Sequence, residues 1–218
     1  MSEEHPRILA NASKKKFPTR HEAEKLLIWA IEQNPGPWVE HSRVTGRAAE
    51  AIALKCRLDG ERAYVSGLLH DIGYYSYRDG KGKRDHIFAG YDFMMKKGYD
   101  GIAKICLSHS FAYQDAEAIA SSYVQCRGKD LAFISAFLNE TEYDVYDNLI
   151  QLCDALCLPH GVVIMEKRLM DVVMRKGFGK HTLVKWEAWF LLKDYFDELC
   201  GVNIYRLFYD EILAGVFG

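Results

Sequence analysis

The sequence lacks a long hydrophobic run. No apolar stretch in its 218 residues approaches the roughly 20 residues that a membrane-spanning helix needs. The opening segment, MSEEHPRILANASKKKFPTR, contains no apolar core of the kind found in secretion signals. We therefore expect neither a membrane partner nor secretion, and we predict a cytoplasmic protein with a flexible, charged lead-in over residues 1–18.

An excess of charge of either sign is also missing. Lysine and arginine number 28, aspartate and glutamate number 30, and the formal net charge is −2. A balance so close to zero provides no overall attraction toward nucleic acid or an anionic membrane surface. We therefore expect no nucleic-acid partner.

Cysteine pairs with metal-binding spacing are absent. The six cysteines include no CxxC motif, and a chain of this length does not need disulfides to fold. Cys153 and Cys157 lie four residues apart on one predicted helix face, where apolar packing is favoured over a metal site. We predict that all six are buried, reduced thiols.

Strand alternation, internal repeats, low-complexity tracts and domain linkers are missing too, whereas helical periodicity runs along most of the chain. Thr19 and Glu22 have the spacing of a capping box, which predicts the start of the first helix. The polar segment 74–85, with two glycines, is the one clear interruption in the first two thirds of the chain. Helices are expected, among others, near residues 86–97, 115–125 and 146–157 and over about 162–176. The sequence as a whole predicts an all-α fold with one domain over residues 19–218.

Among these helical patterns, the run GLLHDIGYY sets His70 beside Asp71 at the end of an apolar segment. Neighbouring helix residues point about 100° apart, yet both side chains can reach one ion lying between them. His41 in EHSRVTGRAA and Asp154 in LIQLCDALC lie in other predicted helices. A carboxylate among apolar residues, such as Asp154, is costly unless it is paired or bound to metal. These residues are candidate metal ligands.

The order His41, then His70-Asp71, then Asp154 resembles the H…HD…D signature of the HD-domain superfamily of metal-dependent phosphohydrolases. The resemblance covers roughly residues 38–168 and includes the words HSRVTGRAAEAIA, VSGLLHDIG and LIQLCDALC. It implies a helical bundle of the HD-domain type. It also implies that these four residues bind a metal, with His70 and Asp71 in the catalytic centre.

Two further histidines, His86 and His109, lie between the HD pair and Asp154. Two-metal members of the superfamily carry additional ligands in this interval, so the resemblance implies a second metal bound by both histidines and bridged by Asp71. The chain departs from the pattern at Ser110, where many relatives carry another histidine. A purely structural role for His86 and His109, bonded to backbone, is the alternative.

The expected cofactor is one or two divalent transition metals per chain. Histidine and aspartate ligands suit iron, manganese, cobalt, nickel or zinc, and without thiolates nothing favours zinc strongly. The resemblance implies that a metal-activated hydroxide hydrolyses a phosphomonoester or phosphoanhydride, with a nucleotide as the candidate small substrate. No phosphate-binding glycine loop, serine elbow or Rossmann fingerprint offers competing chemistry.

Two other functions fit the same residues. Four histidines and two aspartates are also similar to the ligand set of HD-fold di-iron oxygenases, which cleave C–C or C–P bonds with O₂. A non-catalytic HD module that binds a nucleotide is the third possibility. We favour hydrolysis because it is commoner in the superfamily, which is an argument by analogy.

Substrate contacts are predicted in the polar interruption. Lys81, Lys83 and Arg84 lie in a glycine-bearing loop between metal ligands, where they can close over a phosphate. A solvated loop is an equal alternative. Arg168, on the helix after Asp154, is a weaker candidate for anion binding.

Two aromatic groups have open interpretations. The tyrosines within residues 74–77 either stack on a nucleobase or pack inside the protein. Trp186, Trp189 and Phe190 recur at helical spacing, which indicates core packing or a homodimer contact.

Overall fold

A computed structural model of the protein describes residues 15–77, 84–114 and 128–217. These ranges are almost entirely helical, which confirms the predicted all-α fold. The α-helices, numbered in chain order, are α1 (Arg20–Gln33), α2 (Pro37–Lys55), α3 (Gly60–Leu69), α4 (His86–Lys97), α5 (Asp100–Ser108), α6 (Lys129–Glu140), α7 (Val145–Asp154), α8 (Met165–Lys176), α9 (Thr182–Cys200) and α10 (Tyr209–Phe217). Two 3₁₀ helices cover Ile72–Ser76 and Ile204–Phe208. No helix within the described ranges is long and apolar enough to cross a membrane.

Several helix limits follow local sequence signals. Thr19 forms the predicted capping box, since its hydroxyl accepts from the Glu22 amide while the Glu22 carboxylate accepts from the Thr19 amide. Helix α4 covers the predicted residues and ends at Gly98, whose φ of +83° suits a left-handed C-cap. The helix predicted over residues 115–125 lies outside the described residues.

A short β-hairpin follows α7. Its two antiparallel strands are β1 (Cys157–Leu158) and β2 (Gly161–Val162). The sequence analysis missed it, because two-residue strands are too short for alternation to be recognised. The helix predicted to reach residue 157 therefore ends at Asp154, and the helix predicted from residue 162 begins at Met165.

The described part of the predicted lead-in contacts α5. The Lys16 amide donates to the Asp100 carboxylate at 2.7 Å, and the Gly101 amide donates to the Lys16 carbonyl at 3.1 Å. Phe17 packs so closely over Gly101 that an added Cβ would lie 2.4 Å from its ring. Residues 1–14 lie outside the described residues.

Two backbone contacts through glycine hold together the helices that carry the candidate site. Helix α2 crosses α3 where Gly46 meets Gly67, and a Cβ on Gly67 would lie 2.7 Å from the Gly46 Cα. The 3₁₀ helix after α3 meets α4 at Gly73, where a Cβ would lie 1.8 Å from the His86 carbonyl oxygen. Since a residue without Cβ is required at such distances, glycine lets α2, α3 and α4 approach one another closely.

The largest apolar core lies between α2, α7 and α9. It contains fully buried side chains such as Ile52 on α2 and Phe196 on α9. Trp186, Trp189 and Phe190 are half-buried and pack against this core. The contacts therefore support the interpretation as core residues, while the homodimer contact stays a prediction.

The prediction of reduced cysteines is wrong for one pair. Cys56, which caps α2, forms a disulfide with Cys200 at the end of α9, 144 residues later in the chain. The packing of α9 on α2 brings the two thiols together, and no local pattern reports such packing. The other described cysteines are buried free thiols, as predicted: Cys106, Cys153 and Cys157. Cys126 lies outside the described residues.

Candidate metal centre

The six predicted metal ligands converge, although the most distant pair in contact is separated by 113 residues in the chain. Each stands at or near a helix end: His41 in the second turn of α2, His70 and Asp71 directly after α3, His86 at the first position of α4, His109 directly after α5, and Asp154 at the last position of α7. Five chain segments thus deliver imidazoles and carboxylates to one place. Their role as ligands stays a prediction, which the geometry below supports.

Asp71 lies at the middle of the cluster. Its Oδ2 atom is 3.5 Å from His70 Nε2 and 3.9 Å from His41 Nε2. Its Oδ1 atom is 3.3 Å from His86 Nε2 and 3.5 Å from His109 Nε2. The two oxygens of one carboxylate therefore face two different histidine pairs, as a carboxylate that bridges two metals must do.

Asp154 closes the half of the cluster that contains His41 and His70. Its Oδ1 atom accepts a hydrogen bond from His41 Nε2 at 2.9 Å and lies 4.0 Å from His70 Nε2. The side chain of Asp154 is 23% exposed, whereas those of the other five residues are at most 13% exposed. Solvent therefore reaches the cluster mainly on the Asp154 side.

Outer hydrogen bonds orient three of the imidazoles. The Nδ1 atoms of His70 and His109 donate to backbone carbonyls of the preceding helical turn, at 2.7 and 3.1 Å. The Nδ1 atom of His86 lies 2.9 Å from the carboxylate of Asp85, a buried residue that also caps α4. A proton fixed on Nδ1 leaves the Nε2 lone pair for a metal. Sequence analysis missed Asp85, although its position directly before His86 at a helix start was a usable signal.

The residues present fit a metal. His70 Nε2 is buried and has no hydrogen-bond partner among the described residues, which is costly for an imidazole nitrogen unless a ligand satisfies it. Three overlapping triads have ligand atoms within 4.8 Å of one another: His41 with His70 and Asp71, His70 with His109 and Asp154, and Asp71 with His86 and His109. Two atoms that each lie about 2.1 Å from a metal, at right angles, are roughly 3 Å apart. The distances from Asp71 to its four histidines are close to that value.

Burial and neighbouring charges shift the pKa values of His109 and His86 in opposite directions. Burial, together with the neighbouring His70, lowers the pKa of His109 to about 4, so its ring is neutral near pH 7. Burial also lowers the pKa of His86, but the carboxylates of Asp71 and Asp85 outweigh it and raise that pKa to about 10. Burial alone would raise the pKa of Asp71, yet the surrounding histidines hold it well below its usual range. Asp71 is therefore ionised, the form that binds metal.

A polar stripe on α7 holds the end of α5 in place. Gln151 donates to the Ser108 carbonyl at 3.0 Å, and the Ser108 hydroxyl donates to Asp147 at 2.8 Å. Asp147, Gln151 and Asp154 follow one another at helical spacing, and Lys104 neutralises the buried Asp147. The stripe therefore links the residue before His109 to the helix that carries Asp154. Sequence analysis missed it, although polar residues on one face of an apolar helix were the signal.

Two of the tyrosines after the HD pair, Tyr74 and Tyr75, pack against other aromatic rings. The Tyr74 ring stacks on the His86 ring, with centroids 4.4 Å apart and planes 8° apart. Tyr75 lies against Trp29 and Phe93, with both pairs of centroids 5.1 Å apart. Both side chains are half-buried against these neighbouring rings, and the contacts favour packing over stacking on a nucleobase.

Of the three predicted phosphate-binding residues, the structure describes Arg84, whose guanidinium pairs with carboxylates outside the cluster. Lys81 and Lys83 lie outside the described residues. Arg84 pairs with Asp130 at 2.6 Å and also with Asp92, and so connects α4 with α6. A phosphate would have to displace these carboxylates before Arg84 could bind it.

Comparison with known families gives one match. A family model of the HD domain matches residues 38–158. The matched span begins in α2, ends with β1 and contains all six residues of the cluster. No curated protein and no solved structure matches the chain.

Proposed function

Since the chain belongs to the HD-domain family, we propose that it is a metal-dependent phosphohydrolase. Its substrate would be a small phosphomonoester or phosphoanhydride, with a nucleotide as the first candidate. The family consists mostly of metal-dependent hydrolases and also has non-catalytic members. The reaction is therefore a proposal that rests on the site of this chain and not on membership alone.

The observation that carries the proposal is the placement of Asp71 between two histidine pairs. His41 and His70 face one of its oxygens, and His86 and His109 face the other. A buried, ionised carboxylate with a pair of imidazoles facing each of its oxygens is the donor set for two divalent cations. A non-catalytic nucleotide-binding module does not require this arrangement.

Each residue has a definite part in the proposal. His41, His70 and Asp154 would hold the first metal, His86 and His109 the second, and Asp71 would bind both. Divalent metals bound there supply a strong nucleophile from water at neutral pH and stabilise charge that develops on a phosphoryl oxygen. The hydrogen bonds at Nδ1 keep the imidazoles in their orientation during this chemistry, and the exposed edge of Asp154 marks the side where substrate enters.

The test combines metal analysis with activity on one sample. Protein purified without added metal is analysed for bound metals and then assayed for phosphate release from a panel of nucleotides and simple phosphate esters. We expect up to two divalent metals per chain and phosphate release that a chelator abolishes. The same sample is placed in an oxygen electrode, because the four-histidine, two-aspartate set also suits the oxygenase alternative. Two irons with O₂ uptake and no phosphate release would replace the hydrolase by the oxygenase.

A further inference from the structure

Arg168 on α8 stands at the exposed side of the metal centre. Its Nη2 atom lies 3.6 Å from Asp154 Oδ1, the oxygen that also faces His41 and His70. Its side chain is only 14% exposed, so the guanidinium is held near the cluster and does not extend into solvent. Because Asp154 is the most exposed of the six residues, an anion that approaches the cluster from its open side meets this guanidinium.

The contacts of Arg168 with described residues are weak. Its Nε atom donates to the Asp154 carbonyl at 3.3 Å, and its Nη1 atom lies 3.3 Å from Asp171. Asp171 makes a shorter pair with Arg175 on the same helix, at 2.7 Å. A firmly paired guanidinium makes charge-assisted bonds of about 2.7–2.9 Å. Arg168 is therefore positioned by its neighbours without being neutralised by a close ion pair.

Metal binding would increase the charge that Arg168 can offer. In the first half of the centre, Asp154 would give its negative charge to the metal, which leaves Arg168 with less compensation from that carboxylate. Asp171 is shared with Arg175, so it compensates only part of the remaining positive charge. An additional anion beside the metal would then complete the local charge balance.

We propose that Arg168 binds the phosphoryl group of the substrate at the Asp154 side of the metal centre. A guanidinium carries five N–H donors in a planar fork that matches phosphate oxygens, and the three contacts described leave donors to spare. This inference rests on the proposed function and assigns the phosphate-binding role to α8. It makes Arg168 a substrate-binding residue that discriminates in favour of anionic esters.

The alternative role is orientation of Asp154. An orienting group would donate a short bond to the carboxylate, as His41 does at 2.9 Å. The separation of 3.6 Å between Arg168 Nη2 and Asp154 Oδ1 is too long for a hydrogen bond. Arg168 donates instead to the Asp154 backbone carbonyl and to Asp171, which positions the guanidinium without a hydrogen bond to the Asp154 carboxylate.

The experiment measures binding of inorganic phosphate to the metal-loaded protein by calorimetry, with metal content determined on each sample. We compare wild type, Arg168→Gln, Arg168→Lys and the control Lys176→Gln, which removes an exposed cation at the end of α8. Arg168→Gln should weaken phosphate binding on the order of tenfold with unchanged metal content, since a charge-assisted pair is lost. Arg168→Lys should lose less because it keeps the charge, and Lys176→Gln should bind phosphate like wild type.

Equal phosphate affinity in wild type and Arg168→Gln would overturn the inference, as would a wild type that binds no phosphate. Loss of metal from Arg168→Gln in step with phosphate binding would also overturn it, because Arg168 would then act through Asp154. If Arg168→Gln fails to fold, the comparison of Arg168→Lys with wild type decides by the same criteria. Phosphate binding through Arg168 without hydrolysis of any ester would support the inference while contradicting the hydrolase. Ester hydrolysis with an unchanged KM in Arg168→Gln would support the hydrolase while contradicting the inference.

Discussion

At the residue scale, Asp71 would contribute to both halves of the proposed metal centre because its oxygens face different histidine pairs. Replacing it by asparagine keeps the shape and removes the charge that two cations need. We expect Asp71→Asn to lose more than about 100-fold in metal affinity, since even an outer partner of a ligand is worth about 10–100-fold. Metal analysis, phosphate release and the helical circular-dichroism spectrum measure the effect. The exposed Asp92→Asn is the control, and a variant that keeps both metals contradicts the assignment.

Asp85 allows a separate test of the second half of the proposed metal centre, which contains His86 and His109. Asparagine caps a helix as well as aspartate does, so Asp85→Asn should preserve the start of α4 while removing the charge beside His86 Nδ1. We expect the affinity for the second metal to fall by about 10–100-fold and the affinity for the first to stay the same. A metal titration followed by calorimetry resolves the two events.

The matched control for that titration is Asp59→Asn, which changes the aspartate cap of α3 in the same way. Two unchanged binding events in Asp85→Asn would show that the carboxylate does not support His86. Equal weakening in both variants would indicate a general effect of helix caps.

At the element scale, the crossing of α2 and α3 positions His41 and His70 relative to each other. A methyl group on Gly67 would lie 2.7 Å from the Gly46 Cα and 2.8 Å from a backbone oxygen, so the helices must separate to accept it. We expect Gly67→Ala to lower the free energy of unfolding by about 1–3 kcal/mol, the range for overpacking. It should also weaken the first metal site. Urea denaturation and metal titration measure the two effects.

Gly179→Ala is the control for this crossing, because the nearest atom to its added Cβ is 3.8 Å away. It should leave both quantities unchanged. If Gly67→Ala were as stable as wild type, the helices would have room that the contact distances do not indicate.

At the scale of the whole molecule, a metal at the cluster would connect segments that are far apart in sequence. The six predicted ligands come from α2, α4, α7 and the residues directly after α3 and α5, so binding to the folded state alone would stabilise all of these contacts at once. Removal of metal should lower the free energy of unfolding by about 4 kcal/mol relative to protein with free metal at 1,000 times its Kd. Differential scanning calorimetry before and after chelation measures this, and added metal should restore the melting temperature.

Asp71→Asn provides the comparison for metal removal, since its melting temperature should respond less to chelator and metal than that of wild type. A wild type with the same melting temperature in both states would mean that metal does not hold the five segments together.

The sequence by itself determined the class of fold and the identity of the cluster. Capping and periodicity depend on residues within about four positions of one another, so the start of α1 and both ends of α4 follow from the sequence. The order of His41, the HD pair and Asp154 indicated which of the polar residues in apolar helices belong to one site. Their order resembles the HD signature, and that resemblance, together with the cost of a buried carboxylate without a counter-charge, led to the expectation of one site.

Only the tertiary structure decided which atoms face each other. The division of Asp71 between two histidine pairs, the contact of Gly46 with Gly67 and the disulfide from Cys56 to Cys200 all depend on how helices pack. So do the pairing of Arg84 away from the cluster and the approach of Arg168 to its exposed side. Most of these contacts join different helices, up to 144 positions apart in the chain, and local patterns carry no information about distances that arise when distant helices pack on a common core.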